Sequence, residues 1–125
     1  MLKKLVLVTL YCILSPGLVT GQSMDKLERK ALKVFYEERL DEALILYNDI
    51  LNADPKNRQA KYRQLICHIL VTDRRTPVEE LLKYRSTQGR KDKFYNYWLG
   101  RVYYQQNNFK KAIESWNKFL NLKNY

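Results

Sequence analysis

The stretch that decides the fold is ALKVFYEERLDEALILYNDILNADP, which runs from Ala31 to Pro55. Its apolar residues recur at the i, i+3, i+4 and i+7 spacing of helices that are buried on one face. The first set is Leu27, Ala31, Val34 and Phe35, and the second is Leu40, Ala43, Leu44, Tyr47, Ile50 and Leu51. Because a residue before proline is pushed out of the α region, Asp54-Pro55 ends the second helix. The stretch therefore predicts a helix, a turn and a second helix.

The same layout returns near the C-terminus, in the stretch GRVYYQQNNFKKAIESWNKFLNL from Gly100 to Leu122. The apolar places of the second helix, Ala43, Leu44, Tyr47, Ile50 and Leu51, are taken there by Ala112, Ile113, Trp116, Phe119 and Leu120. Ala43 and Ala112 lie 69 residues apart, which is two periods of about 34 plus one. A third copy of the helix pair is therefore expected between them.

Small and aromatic residues at set positions give this layout a family resemblance. Ala43-x3-Tyr47 followed by Pro55, and Leu99-Gly100-x2-Tyr103 followed by Ala112-x3-Trp116, fit the tetratricopeptide signature. The chain resembles a tetratricopeptide-repeat protein, and the resemblance implies an all-α solenoid of about three helix-turn-helix pairs. Alanine at positions 43 and 112 suits a close helix crossing, which a larger side chain would overpack.

The resemblance places the three repeats at about 24–57, 58–92 and 93–124. The expected helices are Asp25–Glu37, Leu40–Ala53, Gln59–Val71, a helix from Thr76-Pro77 to a glycine stop at Gly89, Phe94–Tyr104 and Phe109–Leu122. In the middle repeat Leu81 takes the alanine place, 38 residues after Ala43 and 31 before Ala112. This spacing predicts a longer loop at Thr72–Arg75. Trp98 lies two places later than the family's usual tryptophan, so we expect it to be partly exposed.

The first 21 residues have the features of a secretory signal peptide. Lys3 and Lys4 form a basic start, Leu5–Leu14 is an apolar run, Ser15–Gly17 breaks it, and small residues precede Gln22. The alternative is a membrane anchor through residues 5–20, although the apolar run is about half of the ~20 residues that a spanning helix needs. We predict cleavage before Gln22 and a periplasmic or secreted location.

Charge and cysteine content narrow the class of partner. Lys3 and Lys4 leave with the leader, so the formal charge falls from +10 to +8. The basic residues are scattered rather than clustered, so no nucleic-acid partner is expected. An acidic protein, an anionic envelope polymer or a lipid surface remains as the expected class of partner.

Cys67 is the only cysteine left once the leader is removed, which excludes an intramolecular disulfide. Its place on an apolar helical stripe predicts a buried small hydrophobe.

The residues needed for catalysis are missing from the sequence. His68, the only histidine, directly follows Cys67, and adjacent helical residues point about 100° apart, so they cannot act as nucleophile and base. The sequence contains no glycine-rich phosphate loop, no CxxC pair and no clustered metal ligands. We therefore predict no catalytic residue, no cofactor and no metal, and a protein that is not an enzyme.

The family resemblance also implies a binding site, because the first helices of successive tetratricopeptide repeats line a concave groove. The corresponding residues are Glu28, Leu32, Phe35, Tyr62, Ile66, Ile69, Tyr97, Arg101 and Tyr104. Glu28 and Leu32 stand where the family's carboxylate clamp has lysine and asparagine, which disfavours that ligand class. Arg101 is the one fixed cation of the set, so the groove suits an extended acidic or aromatic peptide. Core packing is the alternative role for each aromatic residue.

These observations predict an exported protein–protein interaction module that binds a peptide or partner protein, within an envelope assembly. Binding would use the groove or the helix Phe109–Leu122, whose apolar face no later helix of this sequence covers and which could pair two copies in a homo-oligomer. One alternative is a cytosolic or membrane-anchored adaptor with a basic surface, with membrane contact only through an uncleaved leader. Another is an accessory subunit of an enzyme.

Overall fold

The structure is a computed structural model that describes residues 21–72 and 78–123. Helices and turns make up this part: α1 is Gly21–Tyr36, α2 Leu40–Ala53, α3 Arg58–Thr72, α4 Glu79–Leu82, α5 Gln88–Lys91, α6 Tyr95–Gln105 and α7 Phe109–Lys123. The predicted all-α, helix-turn-helix solenoid is confirmed. None of the helices in the described ranges is long and apolar enough to span a membrane. The predicted signal peptide and the predicted helix start at Thr76-Pro77 lie outside the described residues.

The α1–α2 and α6–α7 pairs are joined by the same kind of turn. Each has one non-glycine residue in the left-handed region, Glu38 with φ 59° and Asn107 with φ 62°. The next amide, that of Arg39 or Asn108, donates to the carbonyl five residues earlier at 3.2 and 2.9 Å. These bonds satisfy carbonyls at the helix ends, as in a Schellman motif. The two turns lie 69 residues apart, which is the spacing of the two alanines.

The core lies between the helix pairs and contains the residues that the repeat pattern places there. Ala43 and Ala112 are fully buried, as expected of alanines at close helix crossings. Cys67 is also fully buried, so the prediction of a buried small hydrophobe is confirmed. Burial raises the pKa of the Cys67 thiol to about 12, which keeps it protonated and unreactive at neutral pH.

The middle repeat differs from the prediction. In place of one second helix ending at Gly89, the chain forms the two four-residue helices α4 and α5. Gly89 lies inside α5 and its φ is not positive, so the predicted glycine stop is wrong. A Cβ at this position would lie 3.2 Å from the ring of Tyr95. Glycine therefore serves close packing of α5 on α6 here, rather than left-handed helix termination.

The first and last helix pairs also meet directly. The rings of Phe35 in α1 and Trp98 in α6 lie 4.7 Å apart, and those of Tyr36 and Phe94 lie 5.9 Å apart. Trp98 is only 3% exposed, so the expectation that it is partly exposed is wrong. The physical reason is the contact between distant repeats, because Phe35 covers an indole face that an open array would leave to solvent.

Candidate functional site

Four of the predicted groove residues belong to the core. Phe35, Tyr62, Ile66 and Ile69 have no exposed surface. A side chain without exposed surface cannot contact a partner unless the fold opens, so the structure corrects the prediction for these four. The same apolar stripe of α1 and α3 that would face a groove in an open array is used here for packing between the helices.

Arg101, the cation of the predicted groove, is already paired within the protein. Its Nη1 donates to Oε1 of Glu38 at 2.9 Å, and the Tyr97 hydroxyl donates to the same oxygen at 2.8 Å. The guanidinium also lies over the Trp98 ring, 5.4 Å from its centroid. Arg101 therefore connects repeat three to the turn of repeat one, and this pairing with Glu38 does not support the prediction that Arg101 binds a partner's carboxylate.

The other predicted groove residues lie in two separate places. Glu28 and Leu32 are half-buried and border a cleft of about 260 Å³ between α1 and α3, where Oε1 of Glu28 accepts from Nδ2 of Asn57 at 2.8 Å. Tyr104 is 57% exposed, and its ring contacts those of Phe109 and Trp116. The structure thus places Tyr104 with the last helix and not in a shared aromatic groove.

A continuous apolar surface lies on the last helix pair. We call it the end face, and its members are Tyr104, Phe109, Ile113, Trp116 and Leu120. Ile113 and Leu120 are 55% and 51% exposed, and Trp116 is half-buried. Large apolar side chains that are exposed together, rather than singly, mark interaction sites.

Comparison with α2 shows what the end face lacks. Tyr47 is buried and Leu44 and Leu51 are half-buried on a helix that α3 packs against. The matching places on α7 are Trp116, Ile113 and Leu120, and each of these residues is more exposed than its counterpart on α2. The same helical pattern is therefore covered by a following helix in repeat one and open in repeat three.

Gly100 determines how Trp116 lies in this surface. A Cβ at position 100 would come within 2.5 Å of Cδ1 and 2.8 Å of Cε2 of the Trp116 indole. The absence of that atom lets the ring lie against α6, where Nε1 donates to the Tyr97 carbonyl at 3.3 Å. Trp116 is therefore held in place while part of its ring remains in the end face.

The exposed charged side chains of α7 are mostly basic but lie largely away from the end face. Lys110, Lys111 and Lys118 are exposed, together with one acidic residue, Glu114. At 3.6 residues per turn, Lys111 and Lys118 lie on the side of α7 opposite Ile113, whereas Lys110 and Glu114 lie beside it. The end face is therefore apolar and borders one positive and one negative charge. Within the described ranges no group of three or more His, Cys, Asp or Glu side chains could hold a metal ion.

Comparison with known proteins finds one family match. Residues 94–124, which cover all of α6 and α7, match the family model of the tetratricopeptide repeat. The chain therefore contains a tetratricopeptide repeat in its last helix pair, and the match supports the resemblance to tetratricopeptide-repeat proteins. Neither the curated proteins nor the solved structures gave a match. The tetratricopeptide repeat is generally a non-catalytic interaction fold, so the match suggests a protein–protein interaction module.

Proposed function

We propose that this protein is an exported interaction module whose end face binds an amphipathic helix of a partner protein in an envelope assembly. The carrying observation is that α7 exposes, at Ile113, Trp116 and Leu120, the pattern that a following helix covers on α2. In repeat arrays each helix pair buries its apolar face against the next element. A helix from another protein takes that place here.

The net charge of the chain favours one kind of partner. A formal charge of +10 attracts an acidic protein at long range. The same charge disfavours a second copy of this chain, because two basic chains repel each other. The partner is therefore a different, acidic protein that supplies an apolar helix face, rather than a second copy in a homo-oligomer.

Replacing Ile113 with glutamate should abolish capture of the partner. A carboxylate at the centre of an apolar contact would lose its hydration without a counter-charge, so we expect at least a tenfold loss of affinity. Ile45→Glu is the matched control, since Ile45 is an equally apolar, 63% exposed residue on α2 outside the end face. The measurement is quantitative mass spectrometry of proteins captured from envelope extract by the two variants and the unmodified protein.

A partner lost from Ile113→Glu and retained by Ile45→Glu supports the end face. Equal capture by both variants would reject this surface. Sedimentation of the purified protein tests whether a second copy of this chain binds the end face. A dimer that Ile113→Glu converts to a monomer would contradict the proposed partner and favour a homo-oligomer. An enzyme among the captured proteins would favour the accessory-subunit alternative.

Export is tested by intact-mass measurement of the protein from fractionated cells. The basic start, apolar run and small-residue ending of residues 1–21 support cleavage, so the exported species should begin near Gln22. A full-length species in the membrane fraction would favour an anchor through residues 5–20. A full-length species in the cytosol would favour the basic adaptor and contradict export.

A further inference from the structure

Arg63, in the middle of α3, is a charged residue in a buried position. Its relative exposure is 8%, and its guanidinium carbon lies 6.0 Å from the centre of the Phe35 ring. Basic residues are rarely buried without a partner, because removing the charge from water is costly unless an opposite charge or several acceptors replace the water. The buried charge of Arg63 therefore requires a counter-charge or several hydrogen-bond acceptors close to the guanidinium.

The described residues provide only a neutral acceptor. With the Gln59 amide oriented so that its oxygen faces Arg63, that oxygen accepts from Nη1 at 2.9 Å and from Nη2 at 3.1 Å. Nε of Arg63 makes no well-formed hydrogen bond, although the neutral Tyr47 hydroxyl lies close to the guanidinium. No carboxylate in the described ranges forms an ion pair with Arg63, whereas Arg39 and Arg101 both have one. The positive charge is thus left without a counter-charge.

Arg63 borders a cleft of about 360 Å³, which we call the basic cleft. Its lining residues are Tyr36, Gln59, Arg63, Gln88, Lys91, Asp92 and Lys93. Both carboxylate oxygens of Asp92 already accept a hydrogen bond within the protein. Oδ2 accepts from the Tyr62 hydroxyl at 2.7 Å, and Oδ1 accepts from the Phe94 amide at 2.9 Å. The formal charge of the lining is +3 − 1 = +2.

The cleft on the other side of Arg63 is a poorer site for an anion. It is lined by Asp25, Glu28, Arg29 and Arg63 among its charged residues, which sum to zero. An anion there would approach two carboxylates, whereas in the basic cleft it would approach two exposed lysines. Electrostatics therefore favours the basic cleft.

We propose that the basic cleft binds a carboxylate side chain of an acidic peptide segment, with the Arg63 guanidinium as its buried anchor. The planar fork of arginine matches a carboxylate with two parallel hydrogen bonds, and the ligand would supply the missing counter-charge. The amides of Gln59 and Gln88 and the exposed ring of Tyr36 suit the peptide groups and side chains of such a segment. This site is separate from the end face and does not depend on the proposed function.

The test measures binding of a fluorescein-labelled decapeptide of five glutamates and five glycines to the purified protein, by fluorescence anisotropy at low salt. Arg63→Met should weaken peptide binding at least tenfold. The affinity of Arg63→Lys should lie between those of Arg63→Met and the unmodified protein, since lysine keeps the charge and lacks the planar fork of the guanidinium. Lys30→Gln is the control: it removes one exposed positive charge outside both clefts, and should change affinity less than twofold. The peptide with glutamine in place of glutamate should not bind.

Thermal melting separates a binding role from a structural one. If Arg63 is kept for a ligand, Arg63→Met should melt at or above the temperature of the unmodified protein, because it removes an uncompensated buried charge. The acidic peptide should raise the melting temperature of the unmodified protein and not that of Arg63→Met. A lower melting temperature of Arg63→Met with unchanged peptide affinity would overturn the proposal and make Arg63 structural.

A second variant and two competitors complete the test. The double variant Lys91→Gln/Lys93→Gln changes only exposed residues of the basic cleft and should weaken peptide binding threefold to tenfold; no change would place the peptide elsewhere and overturn the proposal. Displacement of the peptide by millimolar inorganic phosphate, or tighter Arg63-dependent binding of a single-stranded oligonucleotide, would also overturn it in favour of a phosphate ligand.

Discussion

Replacement of Trp98 by alanine is expected to lower the free energy of unfolding by about 3–5 kcal/mol. Trp98 is buried, and its ring contacts those of Phe35 at 4.7 Å and Tyr97 at 5.0 Å. Truncation would leave a cavity where repeat one meets repeat three, and it would also remove the surface on which the Arg101 guanidinium lies. Urea denaturation followed by far-ultraviolet circular dichroism measures the loss.

Trp116→Ala is the matched control for this prediction. Trp116 is half-buried and part of its ring lies in the end face, so its removal should cost about half as much, since the loss follows the apolar area removed from water. The fluorescence of the two variants adds an independent readout, because the tryptophan that remains in Trp98→Ala is the more exposed one. Equal losses, or a larger loss in Trp116→Ala, would contradict the core position of Trp98.

The second large effect is a loss of stability at alkaline pH. Burial raises the pKa of Tyr47 and of Tyr62 well above the ordinary value, and raises that of Cys67 to about 12. The folded protein therefore keeps these protons while the unfolded chain releases them. The contribution of these groups to folding stability is fully present below their pKa values in the unfolded chain, about 8.5 for cysteine and 10 for tyrosine. It is lost as the pH rises above those values. Above its unfolded pKa, each group lowers the free energy of unfolding by about 1.4 kcal/mol per pH unit. The two tyrosines alone therefore lower it by about 5 kcal/mol between pH 10 and 12.

Phenylalanine variants assign this effect to its groups. The Tyr47 hydroxyl makes no well-formed hydrogen bond, so Tyr47→Phe should cost little at pH 7 and should reduce the slope of stability against pH above 10. Tyr62→Phe should reduce the same slope but also cost about 1–2 kcal/mol at pH 7, because it removes the bond to Asp92. Urea denaturation series between pH 7 and 12 measure both terms. Slopes equal to that of the unmodified protein would contradict burial of these hydroxyls.

Much of the local structure can be predicted from the sequence. Helix α2 spans Leu40–Ala53 as the apolar spacing and Asp54-Pro55 predict, and α7 begins at the predicted Phe109. These features depend on interactions within one or two helical turns and on the backbone restriction before proline, which the residues themselves determine. The apolar stripe of α7 was also predictable, since the apolar pattern of α2 recurs there.

The site could be predicted less well, because apolar spacing shows which face of a helix is buried but not which element covers it. Phe35 and Tyr62 are core residues because α1, α3 and α6 meet closely in this short array. A basic residue such as Arg63 carries no signal of burial in its local sequence. Only the folded structure places Arg63 in a buried position beside Phe35 and Gln59.

The sequence by itself determined the repeat, the all-α class, the turns that separate paired helices and the apolar stripe of α7. The tertiary structure alone decided that Trp98 is buried, that Arg101 is paired with Glu38, 63 residues away, and that Arg63 lies buried without a carboxylate. The physical reason is the range of the interactions. Helix formation is governed by neighbours three or four residues apart, whereas burial and ion pairing depend on which distant repeats come into contact.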